Sequence, residues 1–353
     1  MSKSNWNNIG VAFSTIGELD VSAIQEECER APQIAVLGSR PLFQQVAALL
    51  HTIGTHRFGP HGSDPLFHYP LSGAEFAPLD ENNPLRQANL FLILVDGQQP
   101  LAAETTTTLH QLARLAIPTV IAICGIAVPD NPGPLRPEFA QARVVILPDL
   151  NAPQAAEALS AALIERLPED LRLAAARAIP ALRPTYAREL VASISFVNSS
   201  YALASAIPEQ IPILSVPFAA ADILVLTKNQ ALMVYRLALA HGAAADFQSR
   251  MAEIIPVVGA GFIWRQVART LIGLIPFWGV LPKVAVAYAG TYTTGTIAWR
   301  WFAEGEIIDG ERLKELADES LRVGRERAAA LLDAAQNQTR KGTKHAWRPW
   351  RKR

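Results

Sequence analysis

The chain has 353 residues, with 32 Lys plus Arg balanced by 32 Asp plus Glu, so its zero formal net charge gives no reason to expect nucleic acid as a partner of the whole molecule. Half of the residues are hydrophobic and 18% are charged, below the roughly 25% of ordinary soluble chains, which implies an apolar surface somewhere along a chain long enough for about two domains. Cys28 and Cys124 are far apart and lack CxxC spacing, which excludes a disulfide framework or a zinc ribbon and fits a reducing compartment.

The polar start, Met1 to Gly10, and the short apolar run Val11 to Ile16 do not read as a signal peptide. Residues 1–32 form an N-terminal segment ending in a predicted helix, Val21 to Arg30, with Asp20 as its cap. Ile34 to Leu37 is then a short apolar strand closed by Gly38, and Phe43 to His51 reads as the helix after it. Asn89 to Val95 is a second strand, followed by Asp96-Gly97 and a helix over Ala103 to Leu115. Pro118 to Cys124 and Arg143 to Leu147 are two more strands. Apolar strands alternating with helices predict an α/β domain over residues 33–150, a parallel sheet covered on both faces. Residues 151–208 are rich in Ala, Leu and Arg at helical spacing and are interrupted by Pro168, Pro180 and Pro184, which reads as a helical linker in short pieces. Residues 209–305 show apolar helical stretches only. Residues 306–338 carry an amphipathic helix, Glu311 to Ala335, with Leu313, Leu316, Leu321, Ala328 and Leu331 on one side. Residues 339–353 form a basic tail.

The first strand and its turn occupy the place of a phosphate-binding loop, GxxxxGK[ST], in which backbone amides cradle phosphates, Lys reaches the terminal phosphates and a hydroxyl holds magnesium. Here the segment reads Gly38-Ser39-Arg40-Pro41-Leu42-Phe43-Gln44-Gln45. Phe43 stands at the second Gly position, Gln44 at the lysine and Gln45 at the hydroxyl. With strand, loop and the helix VAALLHTIG at matching lengths, the segment resembles Era-like small GTPases. That resemblance implies a guanine-reading NKxD where this chain has Cys124-Gly125-Ile126-Ala127, and a Ser-Ala motif near Leu147-Pro148-Asp149. Neither is present, and residues 58–79 offer no clear DxxG. The resemblance therefore implies a degenerate GTPase fold without bound cofactor. Another doubly wound fold whose first turn carries a Gly is the alternative.

Four of the seven histidines, His51, His56, His61 and His68, fall in a stretch that reads as a solvated loop, and their spacing matches no zinc pattern. Asp80-Glu81 and the run Thr105 to Thr108 read as turn and helix-start chemistry. No Ser-His-Asp or Cys-His set stands out, and no catalytic residue and no metal ligand is expected.

Ile254 to Ala303 is a 50-residue stretch with Arg265, Arg269, Lys283 and Arg300 but no acid. Sparse positive charge among apolar residues, with Trp264, Trp278, Trp299 and Trp301, suits contact with anionic lipid, since Lys and Arg snorkel and Trp sits at headgroup depth. A span over Ile254 to Ile275 would bury two arginines at roughly 5–7 kcal/mol against about 5 recovered. Pro276 to Ala298, 23 residues with Lys283 near one end, is long enough to cross. Small residues at Ala285, Ala289 and Thr293 would admit a close helix. A hairpin dipping into one leaflet and a fully buried helical core are the alternatives. The segments VPFAAADILVLTKNQALMVYRLALAHG and IPVVGAGFIWRQVARTLIGLIPFWGVLPKVAVAYAGTYTTG, from Val216 to Gly295, resemble the bacterial domain of unknown function 697, the YcjF-like family. Asp222, Gln230, Met233, Gly242, Pro256, Gly259, Arg265, Arg269, Pro276, Gly279, Thr291 and Gly295 stand in the family places. The resemblance implies membrane association and GTPase-domain company, and no reaction.

The last fifteen residues hold seven Lys or Arg, no acid, and Trp347 and Trp350, which reads either as a solvated tail or as one that would strengthen attachment to an anionic leaflet, with nucleic-acid contact as a third reading. The sequence thus predicts a degenerate GTPase-like α/β domain followed by an apolar, membrane-associated helical domain. Its expected role is that of a regulatory or scaffold protein on the cytoplasmic face of the inner membrane, with lipid and another protein as partners. A GTP-binding protein with a non-standard site and a soluble helical adaptor are the alternatives.

Overall fold

The computed structural model of the chain describes residues 19–52, 62–71, 82–99, 103–125, 142–206, 215–246, 280–305 and 310–346. Helix α1 spans Ser22–Glu29. The cap residue is Val21, without a side-chain capping bond, one position after the Asp20 that the sequence suggests; the Asp20 carboxylate accepts from the Ser22 N–H at 3.0 Å and from the Ser22 hydroxyl at 2.7 Å, satisfying one N–H that the helix start leaves open. Strand β1, Ile34–Leu37, follows and is buried on both faces. The remaining strands are β2 at Leu66–Tyr69, β3 at Leu90–Asp96, β4 at Thr119–Cys124 and β5 at Arg143–Leu147. All pair in parallel in the order β2-β1-β3-β4-β5. Helices α2 (Arg40–His51), α3 (Ala103–Ala113) and α4 (Pro153–Arg166) accompany them.

Alternation along the strands divides the interior in two, because successive side chains point to opposite faces. Ile34, Val36, Leu90, Leu92, Leu94, Val120 and Ala122 join Val46 and Leu50 of α2 and Leu159 and Leu163 of α4. Ala35, Leu37, Phe91, Ile93, Ile121 and Ile123 join Leu109 and Leu112 of α3. The continuous apolar runs of β3 and β4 reflect this burial on both faces. Strand β2 corrects the sequence reading, which left His68 in a solvated loop. Leu66 pairs with Ile34 and Tyr69 with Leu37, and the four residues LFHY were too few and too polar to show an alternation.

The stretch read as a helical linker is helical, in short pieces before Arg183, and packs on the sheet. Helix α4 lies on β4 and β5, and the same core continues through α5 (Arg172–Ala178), α6 (Arg183–Ala206) and α7 (Ser215–Ala240) as far as Phe302 of α8 (Val280–Glu304). Pro184, expected to break a helix, is the second residue of α6, a position whose N–H has no intrahelical partner and can be dispensed with. The buried Arg183 guanidinium donates to the carbonyls of Ala176 and Arg177 at the end of α5. Burial, with the neighbouring Arg177 charge, lowers its pKa to about 10.

Helix α7 ends in a Schellman turn. Gly242 takes φ +92, Ala243 N–H donates to Ala238 O at 3.0 Å and Gly242 N–H to Leu239 O at 2.9 Å. Arg177 then donates to the carbonyls of Leu239 and Ala243 at 2.8 and 2.7 Å, so a cation sits at the negative end of the helix. Glu27 of α1 pairs with Arg236 of α7 at 2.7 Å, tying the N-terminal helix to the helical half.

Helix α8 is a bundle core, which corrects the expectation of a membrane span over Pro276 to Ala298. It packs against α6, α7 and α9 (Gly310–Ala346), and Val284, Ala285, Tyr288, Ala289, Ala298 and Phe302 are buried there. Among the described residues no helix is long and apolar enough to cross a membrane. A polar seam crosses the bundle: Asn198 Nδ2 donates to Thr291 Oγ1 at 2.8 Å, Gln230 Nε2 to the same oxygen at 3.2 Å, and Asn229 Nδ2 to Asn198 Oδ1 at 2.7 Å. Helix α9 buries Leu313, Ala317, Leu321 and Ala328, close to the expected stripe, and continues to Ala346 rather than stopping at Ala335.

The expected close approach at Ala285 and Ala289 is met by α9. A Cβ on Gly324 would lie 2.7 Å from Ala285 O and 3.5 Å from Ala289 N. Gly324→Ala should therefore destabilise the protein by roughly 1–3 kcal/mol through the forced separation of two backbones, outweighing the ~1 kcal/mol helix-propensity gain. Urea denaturation followed by far-ultraviolet circular dichroism measures this, and a more stable variant would contradict the packing.

Candidate functional site

In doubly wound sheets ligands bind beyond the carboxyl ends of the strands where the strand order reverses. Here the reversal falls between β1 and β3, beside the residues that the sequence places in a phosphate loop. The chain leaves β1 at Leu37 and enters α2 at Arg40, so Gly38 and Ser39 alone connect them. The loop expected from Gly38 to Gln45 is thus reduced to two residues, and Arg40 to Gln45 form the first turns of the helix.

Gly38 has a packing reason to be Gly. A Cβ there would stand 2.9 Å from Leu94 Cβ and 3.1 Å from Leu94 O on the neighbouring strand. Ser39 is the cap residue of α2 by backbone conformation, but its side chain makes no capping bond. Pro41 lies in the first turn and removes one of the N–H groups that a helix start can aim at an anion. Phe43 N–H already donates to Ser39 O at 3.0 Å. The Phe43 ring lies 5.0 Å from the His68 ring, and His68 Nε2 is 3.0 Å from Gly38 O. An aromatic pair therefore covers the strand ends at the position where the resemblance implies the second Gly. Ser39, Arg40, Gln44 and Gln45 are exposed.

The other strand ends are bound to one another. Gly97 N–H donates to Cys124 O at 2.8 Å, and Gly125 N–H donates to Leu147 O at 2.9 Å. Gln98 Nε2 reaches Gly125 O at 3.2 Å, while Asp96 accepts from Gln98 N–H at 3.0 Å. Gly125 holds φ +88, a left-handed conformation that Gly adopts without strain. Cys124, where the resemblance implies NKxD to begin, is buried, and burial together with the Asp96 charge pushes its thiol up to about 11. Ile126, Ala127, Asp80, Glu81, His56 and His61 lie outside the described residues. His51, at the end of α2, is 3.4 Å from Asp64, and among the described residues no three His, Cys, Asp or Glu side chains gather as metal ligands would.

A concavity lies between α2, α4 and the start of α6, a groove of about 1000 Å³ lined by Gln45, Leu49, Leu150, Pro153, Glu157 and Arg188 among others. Glu157 and Arg188 pair across it at 2.6 Å. The sequence reading placed both in a linker, and no local spacing links residues from two different helices. Thr105 and Thr108, read as helix-start residues, are buried near the beginning of α3.

Of the residues expected to meet lipid, Trp299 is half-buried and packs against the main core, and Arg300 is half-exposed. Lys283 lies in the first turn of α8, with its side chain outside the described set. Trp264, Arg265, Arg269 and Trp278 lie outside the described residues. Comparison with known proteins finds no matching family model, no matching curated protein and no matching solved structure.

Two outcomes follow from this geometry. Phe43→Gly, Gln44→Lys and Gln45→Ser together should not create GTP or ATP binding, because Gly38 and Ser39 alone separate strand from helix and leave no loop to wrap a phosphate. The glycine should also lower stability by about 1 kcal/mol, and saturable nucleotide binding by the triple variant in calorimetry would contradict this. Cys28 and Cys124 are both buried with raised pKa values, burial being the main cause in each. Native protein at mildly alkaline pH should resist a chromogenic disulfide reagent, and both thiols should react once urea unfolds the chain. Since each folded pKa lies above its unfolded value, the stability they contribute is complete below the unfolded pKa and is lost as pH rises towards the folded one.

Proposed function

We propose that the chain is a non-catalytic regulatory or scaffold protein, associated with the membrane, whose GTPase-derived α/β half has no working nucleotide site and serves as an interaction surface. The two-residue connection between β1 and α2 carries this reading. A phosphate loop needs enough backbone between strand and helix to wrap its amides around an anion, and two residues followed by Pro41 do not supply it. Gln44 and Gln45 bring neither the cation nor the magnesium-binding hydroxyl on which phosphoryl transfer depends. The sequence after β4 and β5, where the GTPase resemblance puts the guanine-reading residues, matches neither of their motifs. The groove beside Glu157 and Arg188 offers a concave surface for a protein partner.

Membrane association rests on the acid-free sequence from Ile254 to Ala303 and the basic tail. With α8 occupied in the bundle, the attachment proposed is peripheral, held by charge and by shallow apolar contact. A helical adaptor without lipid contact is the second reading, favoured by the burial of α8. Fluorescent GTP titrated with magnesium should show no saturable micromolar binding, and saturation there would restore the GTP-binding alternative. Cell fractionation at low salt should find the full chain with membranes and release it at high salt. Recovery wholly in the soluble fraction at low salt would leave the adaptor reading.

A further inference from the structure

The two edges of the sheet are not alike. At the β2 edge Leu66 and Tyr69 are buried, and Phe67 and His68 are half-buried. At the β5 edge Val144 and Ile146 are 44% and 38% exposed. They stand in register with Ile121 and Ile123 of β4, so they share the face that α3 covers further in. The backbone of the same two residues also faces outward. Gly125 N–H donates to Leu147 O, in a register that pairs Leu147 with Cys124. Backbone groups of successive strand residues point alternately to either side. Arg143, Val145 and Leu147 therefore bond β4, while Val144 and Ile146 aim N–H and C=O at the open edge. Among the described residues no strand pairs with that edge.

An open edge of this kind accepts another strand, and proteins that keep theirs unpaired place Lys, Pro or an inward charge there. Within Arg143–Leu147 the one charge is Arg143 at the first position. Its Nε bonds Glu165 of α4 at 3.2 Å, and that pair shows what lies beside the edge. Gln154, Ala158, Ala161 and Glu165 are exposed and recur at helical spacing, so they lie on one side of α4. It is the side that Glu165 brings to β5, and its middle is two alanines. Helix α4 runs back along β5, with Glu165 at the level of Arg143, so Ala158 and Ala161 come level with Val145.

We propose that β5 is an interface at which a second copy of this chain adds its own β5 in antiparallel order, joining two sheets across a two-fold axis at Val145. The inference goes beyond the reading above and depends on neither its nucleotide part nor its membrane part. Antiparallel order sets Val144 opposite Ile146 of the second copy, and Ile146 opposite Val144. Each such pair exchanges both backbone bonds. Pro148, the next outward residue, has no N–H to leave unpaired. Charge selects the same order. Arg143 opens the strand and Asp149 follows its end, so the basic end of one copy meets the acidic end of the other, where parallel order would set like beside like. The Arg143 bond to Glu165 uses Nε, which leaves the two terminal guanidinium nitrogens for that contact. Helix α4 packs on both β4 and β5, so the two copies of α4 would lie about 10 Å apart, a helix-packing distance that the alanines permit.

Sedimentation equilibrium of the full chain at roughly 100 μM, a concentration suited to the transient interface that a small contact makes, should give a dimer. Val144→Lys should weaken dimerisation roughly tenfold, because it sets a charge among apolar side chains at the paired edge. Its far-ultraviolet circular dichroism should stay that of wild type. Ile146→Cys should be joined to a second copy of itself by a short bismaleimide, since diagonal neighbours across an antiparallel pair stand about 7–8 Å apart. Ser193→Cys, on the exposed side of α6, should not be joined, and Cys28 and Cys124 are buried. A wild-type monomer at that concentration overturns the proposal. So does a dimer that Val144→Lys leaves intact, or one in which Ser193→Cys is cross-linked as readily as Ile146→Cys. If Val144→Lys loses the native spectrum, the two cysteine variants decide the matter.

Discussion

Helix α6 is the element on which both halves of the molecule depend. Its first turns place Tyr186, Ala187 and Val191 in the core that includes the α4 side of the sheet. Its later turns bury Ser195, Asn198, Ser199 and Ala202 among the helices of the bundle. One rigid helix thus carries strain from either core into the other, since close-packed interiors do not absorb displacement. Glu27 with Arg236 and Arg177 with the end of α7 add directional bonds between parts distant in sequence. Most of these groups are screened from water, so losing one partner would leave the other unsatisfied.

Within the bundle, apolar packing alone would tolerate sliding. The seam of Asn198, Asn229, Gln230 and Thr291 does not, because a shift of one turn separates donors from acceptors inside the protein, where unpaired polar groups are costly. Gly295 and Gly324 act in the same direction. A Cβ on Gly295 would stand 2.6 Å from Val191 and one on Gly324 2.7 Å from Ala285 O. Absent side chains let the helices approach at those two levels.

At the strand ends the packing is equally close. Gly38 is required by the backbone of β3, and the Phe43 ring lies beside His68, whose Nε2 is 3.0 Å from Gly38 O. The turn after β3 and the end of β4 are bonded to the adjacent strand ends instead of facing outward. The open concavity moves away from the strand reversal to the groove between α2, α4 and α6.

Strands β1 and β5 were legible with their limits because unbroken apolar runs bounded by Gly and Pro leave little choice. The two-sided burial of the sheet and the stripe of α9 were legible for the same reason, since periodicity records which face is buried. Strand β2 was not, because four residues including His68 carry no period. The departures at Phe43, Gln44 and Gln45 were visible from residue types, but the sequence reading took the segment for a loop. Helix α2 begins at Arg40 because Pro41 fits a first helical turn. The apolar, acid-free character of α8 is fixed by sequence, yet a buried bundle helix and a lipid-facing helix share that composition. Composition by itself determined that α8 must leave water; only the tertiary structure decided what replaces the water, by setting α6, α7 and α9 around it.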